Sequence, residues 1–240
     1  MSAPVTTRTL LSVDALSVNY GLARALTGVS FEVAEGSCLA VLGANGAGKS
    51  TLARAITGLV PARSGRVRLF GEDITGWATH RIARAGVTHV PAERMILPSL
   101  SVLDNVRMAV RYACVRSERK DSVARAFDQF PALKSRVKQT AGTLSGGEQQ
   151  MLSLARVLAV PPRLLIADEL SHGLAPIIVD QVFEALGRSR EQGVTVMIIE
   201  QFVGAALELA DNAIVLRRGT LAWAGPAGAA GEQLAQNYLD

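Results

Sequence analysis

GANGAGKS, residues 43–50, fits the pattern G-x-x-x-x-G-K-[S/T] and decides the fold. It follows the apolar run CLAVLG (38–43) and precedes KSTLARAITG (49–58), which has the apolar spacing of a helix ending at Gly58. A glycine-rich turn between a buried strand and a helix directs backbone N–H groups and the positive end of the helix dipole into one concavity. The stretch predicts a polyphosphate-binding loop; an ordinary glycine-rich turn without a ligand is the alternative.

The side chains of this phosphate loop have separate predicted roles. We expect the Lys49 ammonium to contact the outer phosphates and the Ser50 hydroxyl to hold a magnesium ion. The predicted binding residues of the loop are Gly43, Ala44, Asn45, Gly46, Ala47, Gly48, Lys49, Ser50 and Thr51.

A second apolar run, RLLIAD (163–168), ends in the neighbouring carboxylates of Asp168 and Glu169. Successive side chains of a strand point to opposite faces, so one carboxylate can orient the magnesium shell while the other turns toward an attacking water. We assign Asp168 to Mg²⁺ and Glu169 to the catalytic base. A solvated strand end is the alternative that a lone Asp-Glu pair would favour.

The pattern of strands and helices predicts an α/β fold. CLAVLG, RLLIAD and VTVMII (194–199) are short continuous apolar runs, typical of parallel strands that are buried on both faces. LLSVDALSVNY (10–20), VSFEVAEG (29–36) and GRVRLFG (65–71) alternate apolar and polar residues instead, which indicates an antiparallel β-region. We therefore predict a P-loop NTPase core with a mostly parallel sheet.

The middle of the chain differs from the rest, because residues 92–160 have helix-like patterns such as VLDNVRMAVRYACVRSERK (102–120) and no strand-like run. We expect one domain over residues 1–240, with residues 1–91 and 161–240 as the catalytic core and residues 92–160 as a helical subdomain.

Composition excludes several protein classes. The 240 residues are 49% apolar, enough for a packed core, and Cys38 and Cys114 belong to no Cys/His cluster, so we expect buried thiols in a reduced setting. The net charge is only +4 and the arginines are scattered, which does not suggest nucleic-acid binding.

The N-terminus lacks secretory-signal features, and no apolar run approaches the roughly 20 residues of a membrane helix. His80 and His89 have no ligand-like spacing, so no histidine metal site is predicted.

TLSGGEQQ (143–150) opens another predicted helix. Ser145 and Glu148 have the S-x-x-E spacing of a capping box, and capping alone would explain these two residues. It does not explain Gly146 and Gly147, since a glycine inside a helix costs about 0.5–1 kcal/mol relative to alanine. Bare backbone permits close approach by an anion, so the chain offers a second helix N-terminus suited to phosphate.

LSGGE (144–148), GANGAGKS and LLIADE together make the chain resemble the ATP-binding cassette (ABC) family over essentially its whole length. The resemblance implies that the phosphate loop binds ATP with Mg²⁺. It also implies that Ser145, Gly146, Gly147 and Glu148, the signature turn, close over the ATP of a second subunit in a head-to-tail dimer. Whether that dimer is a homodimer or a heterodimer is left open.

Further stretches resemble the second ATP-binding subunit of branched-chain amino-acid importers: GEDITG (71–76), HRIARAGV (80–87), AGTLSGGEQQM (141–151), GLAPIIV (173–179) and IIEQ (198–201). This resemblance implies an ATPase that powers uptake through transmembrane permease subunits, with a solute-binding protein as an indirect partner and residues near 92–115 as the docking surface. It implies a cytoplasmic protein held peripherally on the inner face of the cell membrane.

The resemblance also assigns individual residues. Tyr20 corresponds to the aromatic that stacks on adenine, although a ring packing on the core at a strand end is the alternative. Gln201 stands where a histidine usually contacts the γ-phosphate, and glutamine can still donate a hydrogen bond there. Ala92 replaces a glutamine or glutamate that touches Mg²⁺ or water, and Glu93 is one residue along. His172 falls in a segment that lies along the dimer interface in the family.

Two other functions remain possible at this point. One is a soluble ABC-type ATPase acting on nucleic acid or ribosomes, but such proteins carry two cassettes or a long coiled-coil insertion, and this chain has neither. The other is a weakly hydrolysing regulatory subunit, which is suggested by Ala92 because alanine cannot make the contact of the usual glutamine or glutamate.

Overall fold

The elements of the fold come from a computed structural model that describes residues 8–113, 115–201 and 203–231. The strands are β1 (Thr9–Tyr20), β2 (Ala23–Ala34), β3 (Cys38–Leu42), β4 (Ser64–Leu69), β5 (Glu72–Asp73), β6 (Val87–Val90), β7 (Leu164–Asp168), β8 (Thr195–Ile199), β9 (Asn212–Arg217) and β10 (Thr220–Pro226). The α-helices are α1 (Lys49–Ile56), α2 (Thr79–Arg84), α3 (Val102–Ala113), α4 (Arg119–Gln129), α5 (Gly146–Leu158), α6 (Pro176–Glu191) and α7 (Val203–Leu209). Short 3₁₀ turns lie at Arg116–Glu118, Pro131–Arg136 and Ala141–Thr143.

A six-stranded sheet in the order β10-β9-β3-β8-β7-β6 carries the phosphate loop. β3 pairs in parallel with β8 and β9, and β7 pairs in parallel with β8, whereas β10 is antiparallel to β9. Every residue of β3, β7 and β8 is buried. The structure thus confirms the three predicted parallel strands, whose continuous apolar runs reflect burial on both faces.

The predicted antiparallel β-region is also confirmed. β2, β1, β4 and β5 form a separate four-stranded sheet, in which β1 pairs antiparallel with both β2 and β4. Val13 lies opposite Phe31 on one side and Val67 on the other, and all three are buried. The alternating pattern therefore marks the face of this sheet that packs on the core.

The helix-like pattern over residues 102–120 belongs to more than one element of the structure. α3 ends at Ala113 and α4 begins only at Arg119, after a 3₁₀ turn at Arg116–Glu118. The buried stripe of α3 ends at Val110, and all of residues 115–118 are exposed. Without an apolar face to bury there, nothing holds the chain in one helix across this stretch.

The described chain divides into two compact units. The first contains residues 8–89, 163–168 and 193–231, and its core includes Leu39, Leu52 and Ile166. The second contains the remaining described residues of 90–162 and 169–192. Residues 169–192 thus belong to the unit that contains most of the helices. The division of the chain into a catalytic core (1–91 and 161–240) and a helical subdomain (92–160) stays a prediction.

Two further sequence-based expectations concern thiols and membranes. Cys38 is fully buried in β3, and Cys114 lies outside the described residues. Across residues 8–113, 115–201 and 203–231, none of the helices combines the length and apolarity needed to cross a membrane.

Candidate functional site

The phosphate loop lies in the first unit, between β3 and α1, and two of its positions require glycine. Gly43 has φ 151°, and a Cβ there would lie 2.4 Å from the carbonyl oxygen of Leu216. Gly48, the residue before α1, has φ 106°, and its Cβ would lie 2.9 Å from the carbonyl oxygen of Ala25. A side chain at either position would strain the backbone and displace a neighbouring strand, so the loop conformation depends on both glycines.

Lys49 lies inside the loop and is only 4% exposed. Its Nζ donates hydrogen bonds to the carbonyl oxygens of Gly43 (2.9 Å) and Ala44 (3.3 Å). The loop's own carbonyls therefore hold the ammonium next to the start of α1, where the helix dipole also favours an anion.

Ser50 and Asp168 bring two oxygen donors together. The Ser50 Oγ donates to Oδ1 of Asp168 at 3.2 Å, and Asp168, the last residue of β7, is 3% exposed. Hydroxyl and carboxylate oxygens are hard ligands, and magnesium usually takes only one or two protein groups beside substrate phosphates. The described residues contain no group of three or more His, Cys, Asp or Glu side chains placed to hold a metal. The Ser50–Asp168 pair fits a magnesium ion that completes its shell with phosphate and water.

His89 is a contact of Asp168 that sequence reasoning missed. Its Nε2 lies 3.2 Å from Oδ2 of Asp168, and the two side chains are only 6% and 4% exposed. β6, which carries His89, is next to β7 in the sheet. Spacing to other metal-ligand residues gave no hint of this contact. The sequence shows only that His89 lies near the end of a short run, GVTHV, and not which strand lies beside it.

Gln201 contacts the phosphate loop. Its Nε2 donates to Oδ1 of Asn45, and its backbone N–H donates to Oε2 of Glu200 at 3.3 Å. Two residues predicted from separate parts of the sequence thus lie side by side in the first unit. The Gln201 side chain is thus joined to the phosphate loop through Asn45.

Tyr20 and Ala92 are both exposed. Tyr20 ends β1 with 46% of its surface exposed, so its side chain is not buried in the core. Ala92 and Glu93 are exposed in the second unit, after β6. The adenine contact of Tyr20 stays a prediction.

The backbone at Glu169 differs from the strand geometry predicted for the Asp168–Glu169 pair. β7 ends at Asp168, and Glu169 has φ 53°, in the left-handed region. The alternation of strand side chains therefore does not extend from Asp168 to Glu169. A residue other than glycine in this conformation costs about 1–3 kcal/mol, and such strain clusters at functional sites. The backbone turn, rather than strand geometry, sets the direction of this carboxylate.

The signature turn lies in the second unit and has the predicted capping box. The Ser145 Oγ accepts from the Glu148 N–H at 3.3 Å, and the Ser145 N–H donates to Glu148 Oε2 at 2.8 Å. Packing explains part of the glycine pair, because a Cβ on Gly147 would lie 2.9 Å from Ile178 of α6. Close approach by an anion is therefore not needed to account for Gly147.

Two arginine side chains, Arg94 and Arg136, lie near the start of α5. Arg94 donates to Gln149 at 3.2 Å, and its guanidinium lies over Gly146, within 2.5 Å of where a Cβ would be. Arg136 pairs with Glu148 at 2.7 Å, which offsets the charge of that carboxylate. The helix N-terminus is thus flanked by cationic groups and suits an anionic ligand.

Comparison with known proteins places these features in a family. Residues 26–172 match the sequence profile described as ABC transporter. The chain is 42% identical over 212 residues to BraG, a high-affinity branched-chain amino acid transport ATP-binding protein of Pseudomonas aeruginosa, covering 88% of this chain and 91% of BraG. It is 36% identical over 219 residues to the protein of Archaeoglobus fulgidus named "Probable branched-chain amino acid transport ATP-binding protein LivF", covering 91% of this chain and 92% of that protein. Among solved structures, the ADP conformation of an ATP-binding cassette of an ABC transporter matches with a TM-score of 0.82 at 25% identity, covering 97% and 99%.

Proposed function

This chain belongs to the ABC transporter family, and on that premise we propose that it binds and hydrolyses ATP to power an importer of branched-chain or related amino acids. The observation that carries the proposal is the identity of 42% to BraG over nine-tenths of both chains, together with the phosphate loop between β3 and α1. Near-complete coverage of both chains argues that the whole cassette, rather than one motif, is shared.

Nucleotide binding is the role proposed for the first unit. The backbone N–H groups from Gly43 to Thr51 and the Lys49 ammonium would bind the phosphates, and Tyr20 would stack on adenine. Ser50 and Asp168 would hold magnesium, whose charge, when it is bound, offsets that of the β- and γ-phosphates. The similarity to a cassette solved in its ADP conformation supports a nucleotide in this loop.

Hydrolysis would begin when Glu169 orients a water and accepts its proton. The water oxygen attacks the γ-phosphorus, and the bond from that phosphorus to the bridging oxygen breaks, which releases ADP and phosphate. Gln201, which already contacts Asn45, would donate a hydrogen bond to the γ-phosphate or the water. Lys49 and the loop N–H groups would stabilise the charge that develops on the leaving oxygen.

The signature turn would act on the nucleotide of a second subunit. Its helix N-terminus and the nearby Arg94 favour an anion, whereas the chain's own nucleotide has the phosphate loop. Two subunits would therefore enclose two ATP molecules, and closing and reopening of this dimer would drive the permease subunits. The second subunit is a copy of this chain or a related ATPase.

Reconstitution tests the proposal most completely. The permease subunits and solute-binding protein of the proposed importer would be co-purified with this chain, placed in liposomes and supplied with internal ATP and external radiolabelled leucine. We expect uptake that requires ATP and is absent with Lys49→Ala. Recovery of the chain with ribosomes or nucleic acid instead of the permeases, or uptake that persists with Lys49→Ala, would contradict the proposal.

A second candidate function, a weakly hydrolysing regulatory subunit, is favoured by the exposed Ala92, whose methyl group can contact neither Mg²⁺ nor water by hydrogen bonding. The two candidates differ in turnover within the assembled transporter. Low turnover that Ala92→Gln increases would favour the regulatory role.

A further inference from the structure

We propose that His89 is a positioning residue that fixes the carboxylate of Asp168 for metal binding. The inference rests on the proposed function, because it assumes that Asp168 holds magnesium beside ATP. His89 lies in β6 and Asp168 ends the neighbouring strand β7, so the sheet itself brings the two side chains together. The distance between His89 Nε2 and Asp168 Oδ2 is 3.2 Å.

The direction of this hydrogen bond follows from the chemistry of the partners. A carboxylate oxygen can only accept, so the His89 ring donates from Nε2–H and carries its hydrogen there. The other oxygen of the same carboxylate, Oδ1, accepts from Ser50 Oγ at 3.2 Å. Each of the two carboxylate oxygens therefore has its own donor, and together the donors resist rotation of the group about its terminal bond.

Burial strengthens the hydrogen bond between His89 and Asp168. The side chains of His89 and Asp168 are 6% and 4% exposed, so little water is available to replace a lost donor. A hydrogen bond is stronger in such surroundings than in water, and an unmade one is more costly. With His89 holding Oδ2, Oδ1 stays turned toward Ser50, and both proposed oxygen ligands of the metal remain on one side.

The same arrangement recurs in metal sites generally, where outer residues orient the ligand rather than touch the ion. Loss of such a residue commonly lowers metal affinity by about 10–100-fold. His89 would act in this way on a carboxylate. A role in packing alone is the competing explanation, and it predicts that any residue of similar size would serve as well as histidine.

Substitutions that separate donation from size distinguish the two explanations. His89→Phe keeps a ring without a donor, and His89→Leu is a second donor-free variant suited to a buried strand. His89→Gln keeps an N–H donor of similar reach. His80→Phe is the matched control, since His80 is exposed in α2.

The experiment measures metal binding without turnover. The purified chain and each variant, saturated with ADP, are titrated with Mn²⁺, and free Mn²⁺ is read by electron paramagnetic resonance. ADP affinity in EDTA and thermal unfolding are measured in parallel. We expect His89→Phe and His89→Leu to weaken Mn²⁺ binding by about tenfold, with metal-free ADP affinity unchanged. His89→Gln should stay within about twofold of the wild type, and His80→Phe should match it.

Several results would overturn the inference. These are unchanged Mn²⁺ affinity in the donor-free variants, an equal loss in His89→Gln, a parallel loss of metal-free ADP affinity, or failure of both donor-free variants to fold. Failure of the wild type to bind ADP with Mn²⁺ would instead count against the proposed function. The two failures are therefore distinguishable.

Discussion

The phosphate loop of the first unit and the signature turn of the second both present a helix N-terminus, but they differ in the side chains beside it. Lys49 is held inside the loop, and Ser50 contacts Asp168. At the signature turn, the Ser145 hydroxyl and the Glu148 carboxylate are already engaged in capping α5. This difference supports the proposal that the loop binds ATP within one chain, whereas the signature turn adds contacts to a nucleotide bound by another subunit.

Removal of the Lys49 ammonium should have the largest effect, because it takes from the phosphate loop the charged group that the signature turn lacks. Lys49→Ala removes the buried cation of the loop, so we expect ATP affinity to fall by about 10²–10³-fold, measured by titration with a fluorescent nucleotide. Lys120→Ala, on the exposed face of α4, is the matched control and should bind as the wild type does. Equal ATP affinity in Lys49→Ala and Lys120→Ala would contradict the claim that the phosphate loop binds the nucleotide through Lys49.

Substitution of Glu169 should separate binding from turnover. Glu169→Gln cannot accept the proton of the attacking water, so we expect hydrolysis to slow by at least about 10²-fold while ATP affinity is unchanged. Phosphate release and nucleotide titration measure the two quantities on the same sample, and ATP should hold the variant in a closed dimer. Glu191→Gln, exposed at the end of α6, is the control. Wild-type turnover in Glu169→Gln would show that another group activates the water.

The smallest expected effect concerns the signature turn itself. Ser145→Ala removes the hydroxyl that caps α5, so the free energy of unfolding should fall by about 1 kcal/mol. ATP affinity of the isolated chain should not change, because the proposed function assigns nucleotide binding to the phosphate loop. Ser117→Ala, at an exposed position of a 3₁₀ turn, should leave both quantities at wild-type values. A loss of ATP affinity in Ser145→Ala would mean that the signature turn contributes to the chain's own nucleotide site.

Local patterns predicted the parts of this molecule whose causes are local. β3, β7 and β8 were predicted because strands buried on both faces need continuous apolar runs, and the structure confirms them. The capping box of α5 was predicted because its two hydrogen bonds join residues three apart in the sequence. The glycines of the phosphate loop were predicted because their spacing within the pattern G-x-x-x-x-G-K-[S/T] is fixed.

The missed features depend on neighbours that are distant in the sequence. His89 and Asp168 are 79 residues apart and meet only because β6 and β7 are adjacent in the sheet. The packing of Gly147 against Ile178 likewise joins two helices. The left-handed backbone of Glu169 ends the strand one residue earlier than alternation requires, and no periodic pattern reports such a turn. Sequence periodicity describes which face is buried but not which residues face each other.

The central claim is that each nucleotide needs the phosphate loop of one subunit and the signature turn of another, so one chain alone cannot hydrolyse ATP. The most direct test is the rate of ATP hydrolysis per chain, measured over a wide range of dilution with saturating ATP and Mg²⁺. We expect the rate per chain to fall toward zero on dilution and to recover when the partner ATPase subunit is added. A rate per chain that stays constant down to concentrations at which sedimentation shows only monomers would contradict the claim.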